Sequence, residues 1–253
     1  MTKIKYHIFL IYLLLFPTTL MANQVLRIGV GNFPPFFIEK ENKGLFIEIT
    51  NEIFKQLPEY TVKYTFMSNS RLLHEINSGK IIDVACNIFA GSKVNAYLSE
   101  PLFRYRDVAI SKKSSRFKIN KISDLQGKSI AAYQGAKELL SGEFQIMAKK
   151  NKQYTEYAHP KETTRLMLSG DKDLRVGDIN IFWHDLKNKN YNKEVKIDTN
   201  SFNVHYLWPD VYSHIAFKDQ SLKNAVNKII SELKLNGKIE KIYAEYQPKK
   251  PSS

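Results

Sequence analysis

Short apolar runs alternate with segments whose apolar residues recur every three or four positions, and the alternation persists from residue 25 almost to the C-terminus. Residues 25–30 read as a strand. Leu45, Ile49, Ile53 and Leu57 then recur at four-residue spacing, which predicts a helix with one buried stripe. Residues 62–67 form a second strand. Ser70 is predicted to cap a helix carrying Leu72, Leu73 and Ile76, with Gly79 at the left-handed position that closes it. Residues 81–86 follow as a third strand. A β-α-β-α-β order of this kind requires crossover helices and so a mostly parallel sheet.

The pattern restarts after residue 110. Residues 107–111 are a strand, 112–121 turn basic and polar, and 129–133 are a strand leading through Gln134 and Gly135 into a helix from Ala136. Residues 154–158 and 178–183 are expected strands, with a helix containing Leu166 and Met167 between them. Residues 212–217 read as a returning strand. Leu222, Val226, Ile229 and Leu233 build a long helix ended by Gly237, and Ile239, Ile242 and Tyr246 add a last helical turn or two. There is no internal repeat, and only the last few residues read as disordered.

The N-terminus has the layout of a secretory leader. Lys3 and Lys5 precede a nearly continuous apolar run over residues 8–16, and small residues over 18–22 place cleavage after Ala22. The run is shorter than the ~20 residues that span a bilayer. Cys86 is the single cysteine, which excludes an intrachain disulfide, and its apolar surroundings read as a buried structural thiol. No cysteine lies near the leader to carry a lipid anchor. The formal charge is +13, or +11 once Lys3 and Lys5 leave with the leader. The basic residues are scattered over ordinary polar faces without an RNA-binding aromatic signature or a helix-turn-helix pattern, so a solvated basic surface is expected and nucleic acid is not.

Four segments together carry a family resemblance. The first is Leu26-Arg27-Ile28-Gly29-Val30-Gly31-Asn32-Phe33-Pro34-Pro35-Phe36, a strand running into a stiff aromatic turn. The second is Ser78-Gly79-Lys80-Ile81-Ile82-Asp83. The third is Asp124-Leu125-Gln126-Gly127-Lys128 with Gln134-Gly135. The last is the C-terminal helix ending at Gly237, followed by Ile242-Tyr243. In this order and spacing the chain resembles the extracytoplasmic solute-binding proteins of family 3, the polar amino-acid receptors of ABC importers.

The resemblance implies an α/β clamshell of the type II periplasmic-binding fold, each lobe a mostly parallel sheet flanked by helices, with two hinge crossings. The first lobe is expected over residues 24–110 plus 210–250 and the second over 111–209. A small polar ligand would lie between them and close the hinge. The implied partner is an ABC permease, or a membrane sensor, and the implied state is a soluble monomer in a Gram-negative periplasm with neither cofactor nor metal.

Several residues stand where the family's ligand contacts would be. Phe33 stands where an aromatic ring stacks on the ligand, or is a core ring against Pro34. Residues 87–95 replace a stretch that carries a carboxylate-clamping arginine. Here they offer Asn87 as donor and acceptor and Lys93 as a point charge, which does not reproduce a bidentate guanidinium. Arg71, at the head of the second helix, is either a cleft or a surface residue. After Gln134 and Gly135 a hydroxyl residue is often present; this chain has Ala136, leaving the backbone N–H groups of the helix start for an anion. Asp185 falls where an acid would hold the ligand's ammonium, or caps the next helix. Trp183 is expected in the core, and Trp208 at the hinge.

An enzyme is the main rival, because a dehydratase shares the scaffold. His184 and Asp185 are adjacent, and on a strand they would face opposite ways. His159, His205 and His214 have no metal-ligand spacing. No Gly-x-Ser-x-Gly elbow or phosphate loop is present, and no catalytic residues are assigned.

Overall fold

The computed structural model describes residues 23–187 and 198–248; the expected leader, most of the basic run after Lys187 and the last residues lie outside them. In chain order the first half is β1 (Gln24–Val30), α1 (Leu45–Phe54), β2 (Tyr60–Phe66), α2 (Asn69–Ser78), β3 (Val84–Ile88), β4 (Tyr97–Leu98) and β5 (Phe103–Tyr105). The middle is β6 (Asp107–Lys112), β7 (Ile130–Tyr133), α3 (Ala136–Leu139), α4 (Gly142–Lys150), β8 (Tyr154–Tyr157), α5 (Pro160–Ser169), β9 (Leu174–Asp178), α6 (Ile179–Lys187) and β10 (Phe202–His205). The chain closes with β11 (Val211–Phe217), α7 (Gln220–Leu235) and α8 (Lys238–Glu245).

Two sheets result. The first has the order β2-β1-β3-β11-β4, with β5 also on β11, and β1 runs parallel to both β2 and β3. The second has the order β10-β6-β9-β7-β8, in which β7 is parallel to β8 and β9 while β6 and β10 run antiparallel. Every residue of β3 is buried, as is every residue of β9, the pattern of a strand covered on both faces. Leu45, Ile49 and Ile53 pack with Val226, Ile230 and Leu233 in the largest core cluster, so α1 and α7 cover the same face of the first sheet. No described helix is long and apolar enough to cross a membrane.

The chain changes sheet twice, between Tyr105 and Asp107 and again between His205 and Val211. Arg106 and Asp210 sit on the two crossings and pair through a fork, Nε to Oδ1 at 2.7 Å and Nη2 to Oδ2 at 2.6 Å. A bidentate pair of this geometry ties the crossings to one another.

Local chemistry departs from expectation at two points. The N-cap of α2 is Ser68, whose hydroxyl accepts the Arg71 N–H at 3.3 Å, and not Ser70, which lies inside the first turn. Gly79 does close this helix at φ 73°. The run expected as a strand over 178–183 is instead the start of α6, and the strand is the segment before it. Asp178 ends β9 and accepts the N–H groups of Asn180 and Ile181 at 2.7 and 3.2 Å, capping the helix. Ile179, Phe182, Trp183 and Leu186 then fall on one buried face at helical spacing, although Ile181-Phe182-Trp183 read in isolation favours a strand.

Candidate functional site

The C-terminal ends of β1, β2 and β3 in the first sheet, and of β7, β8 and β9 in the second, form the loops where open α/β sheets place their ligands. On the first sheet, β1 runs into a turn folded on its own aromatic rings. Phe33 is half-buried, 5.7 Å from the Phe36 ring and 5.3 Å, edge-on, from Phe37. It also lines a 390 Å³ pocket with Asn32, Glu39, Phe66, Met67, Ser68 and Asn69, in which the Asn32 amide donates to Glu39 at 2.6 Å. Phe33 therefore belongs to the aromatic cluster and also lines a pocket.

Asn87, near the end of β3, is 6% exposed and holds φ 67°, an uncommon conformation for a residue other than glycine. Its Oδ1 accepts from the Tyr105 hydroxyl at 2.6 Å and from Ser213 Oγ at 2.8 Å. The acceptor is thus spent on joining β3 to β5 and β11. Arg71 is exposed on the first turn of α2, its guanidinium 3.9 Å from Glu75. Lys93 is exposed on the β3–β4 loop, which Asn77 fastens to α2 by accepting the Asn95 N–H at 2.7 Å and donating to the Lys93 carbonyl at 3.1 Å.

On the second sheet the expected free amides are occupied. Gly135, at φ 89°, starts α3; its N–H donates to Glu156 Oε2 at 2.9 Å, and the Lys137 N–H donates to Glu156 Oε1 at 2.9 Å. Tyr154 adds its hydroxyl at 2.7 Å to the same carboxylate. Gln134 is exposed, and its N–H continues the β7–β8 ladder to the Tyr157 carbonyl at 3.0 Å.

Asp185 is not at a strand end. It lies on the buried face of α6, 5% exposed, accepting from Thr164 Oγ1 at 2.8 Å, and burial raises its carboxyl above the usual range. His184 and Asp185 are helix neighbours, so the strand geometry expected for that pair does not apply. Trp183 is in the core as expected. Trp208, on the second crossing, packs its ring against Phe144, 5.1 Å between rings, in the core of the second sheet.

Three acidic or phenolic groups that sequence reasoning passed over meet at the head of the second sheet. Asp107 and Asp178 stand directly opposite each other on β6 and β9. Asp107 accepts from the Tyr133 hydroxyl at 3.2 Å, and Asp178 also accepts the Arg106 N–H at 2.8 Å. Burial, reinforced by Asp178, pushes the Asp107 carboxyl up to about 7; burial outweighs three backbone donors and pushes Asp178 up to about 6. Arg175, 1% exposed, lies beneath them, donating to the Asp178 carbonyl at 3.2 Å and to Thr163 Oγ1 at 3.3 Å. Like carboxylates across a strand pair repel, so a cationic group placed here would relieve that repulsion. Asp178 had a readable signal, an acid closing the short segment Leu174-Arg175-Val176-Gly177 just before the apolar Ile179, Ile181, Phe182 and Trp183. Among the described residues no group of three His, Cys, Asp or Glu side chains is arranged to hold a metal ion.

Two α/β lobes that exchange strands at two crossings, with strand ends and loops furnished with rings and carboxylates, define a two-lobed binding protein. The chain belongs to the bacterial extracellular solute-binding proteins, family 3, whose model matches residues 26–249. It is similar to the L-cystine-binding protein TcyJ of Bacillus subtilis (strain 168), 27% identical over 239 residues that cover 87% of this chain and 82% of the relative. Among solved structures it resembles an ancestral cationic amino acid solute-binding protein, with a TM-score of 0.69 and 20% identity over 89% of this chain and 96% of that one. A polar amino acid ABC uptake transporter substrate-binding protein from Streptococcus thermophilus gives a TM-score of 0.65 and 20% identity over 89% and 87%. The fold is the type II periplasmic-binding clamshell, and the family consists of binding proteins and not enzymes.

Proposed function

We propose that this protein captures a small polar metabolite bearing a cationic group, an amino acid or a related compound, between its two lobes and delivers it to the permease of an ABC importer. The lobes are taken as the two sheets with their helices, and the hinge as the crossings that hold Arg106 and Asp210. Phe33 serves as the aromatic wall on the first lobe, while Asp107 and Asp178 receive the cationic group on the second. Asn87 holds the crossing strands, and Arg71 and Lys93 are exposed cations on the first lobe. The paired carboxylates at facing positions of β6 and β9 are the observation that supports this reading most strongly. The leader read from the sequence supports an exported, periplasmic receptor.

The test is a thermal-shift screen of the mature chain against amino acids, polyamines, small carboxylates and oligopeptides. A ligand at 100 times its Kd contributes about 2.7 kcal/mol, which for a chain of this size raises Tm by about 5–10 °C. Small-angle scattering with that ligand should show a smaller radius of gyration as the lobes close. No shift from any of the four classes would overturn solute capture.

A further inference from the structure

The turn after β7 offers two amides side by side, those of Gly135 and Lys137, at the C-terminal end of a strand in the second sheet. Such a pair suits a ligand carboxylate, yet the protein has filled it with a carboxylate of its own. Glu156 reaches across from β8 and engages one amide with each oxygen, both at 2.9 Å, and the Tyr154 hydroxyl holds Oε1 at 2.7 Å. Three donors converge on one side chain, and together they keep this carboxyl below the usual range although burial acts to raise it. Charge-assisted bonds of this kind are the strong ones. A ligand carboxylate arriving at the turn would find the Gly135 and Lys137 amides already taken and a like charge in its place.

The first lobe gives such a carboxylate little help. Residues 87–95 contain no arginine, and the acceptor of Asn87 is committed to Tyr105 and Ser213. Across the same sheet, Asp107 and Asp178 favour positive charge. We propose that Glu156 is a specificity-determining residue that excludes ligands needing a carboxylate held at the β7 turn, and so selects a carboxylate-free amine. This rests on the reading that a small polar solute binds between the lobes, and it narrows the class of that solute.

The experiment uses matched pairs that differ only in the carboxylate: lysine and cadaverine, arginine and agmatine, histidine and histamine, cystine and cystamine. Calorimetry on the mature wild-type chain, on Glu156→Ala and on Glu156→Gln gives the affinity ratio within each pair. In the wild type, at least one amine should bind tighter than its amino acid by about tenfold or more, equivalent to about 1.4 kcal/mol. Glu156→Ala frees both amides and should raise amino-acid affinity by about tenfold while changing amine affinity little. Glu156→Gln keeps the side chain's size, removes its charge and should move the ratio the same way by less, which covers the case in which the alanine variant does not fold.

An amino acid that binds the wild type at least as tightly as its amine in every pair would overturn the proposal. So would a folded Glu156 variant that weakens amino acid and amine alike. Where the wild type binds neither member, the variants decide: gained amino-acid binding supports exclusion by Glu156, and none overturns it. Failure of solute capture itself is read separately, from the four-class screen.

Discussion

Replacing Asp107 with asparagine removes one of the two carboxylates that face each other across β6 and β9, at a position where the charge is costly. The folded carboxyl titrates at about 7, against about 3.9 for an unfolded aspartate. A carboxyl whose folded value is raised holds its proton in the native state after the unfolded chain has lost it. Its contribution to stability is therefore full below about pH 4 and lost as pH rises through about 7. The extra native proton is nearly complete at pH 5, half lost at pH 7 and almost gone at pH 8, and the equivalent of two units at about 1.4 kcal/mol each gives an upper bound of about 2.7 kcal/mol. Asp107 is only partly buried, so solvent screening brings the expected difference to about 1–2 kcal/mol. Asparagine still offers an oxygen to the Tyr133 hydroxyl, so little bonding is lost. Asp107→Asn should thus stabilise the protein at pH 8 and do so by about 1–2 kcal/mol less at pH 5. Urea unfolding of both proteins at the two pH values, with unchanged m-values, measures this. An effect of equal size at both pH values, or destabilisation at pH 8, would refute the charge reasoning.

Two further predictions follow from single side chains. Asn87→Ala removes the shared acceptor of Tyr105 and Ser213 and forces a Cβ-bearing residue without a polar side chain to hold φ 67°; it should lower stability by about 2–4 kcal/mol in chemical unfolding, and a loss below 1 kcal/mol would contradict the assigned role. Cys86 is fully buried, with burial pushing its thiol up to about 12, so it should resist a thiol reagent at pH 8 until denaturant is added; labelling in the native state at the rate of a free thiol would sink that picture.

The fold was legible because its determinants are local. The four-residue spacing of Leu45, Ile49 and Ile53, the glycines at 79 and 237 and the apolar β3 each state their structure within a few residues. The failures came where two local signals compete or where partners are distant. Ser68 and Ser70 both suit an N-cap, and only the position of the Arg71 N–H distinguishes them. Ile181-Phe182-Trp183 has strand propensity but sits behind Asp178, whose carboxylate starts a helix. Reading a strand over 178–183 put Asp185 just past a strand end, whereas the structure places it on the inward face of α6. Glu156 carries no motif at all: its role exists only because β8 lies beside β7 and brings position 156 to the amides of 135 and 137. Side-chain chemistry that depends on neighbouring strands has no signature within one segment of sequence.

The aromatic contacts of the first lobe have a kinetic consequence. Phe33 touches Phe36 and Phe37, both touch Phe46, and Phe46 meets Phe103 and Tyr105, so one run of rings connects the opening turn to the first crossing strand. Side chains locked in this way have lost their rotamer freedom before any solute arrives, so docking on that wall carries little ordering entropy. On the proposed reading, encounter and closure would be separable steps: a fast, concentration-dependent association with the first lobe, then a concentration-independent rotation of the second about the crossings that hold Arg106 and Asp210. The residence time of the solute would then be set by how often that rotation reverses, and hence by residues that never touch it.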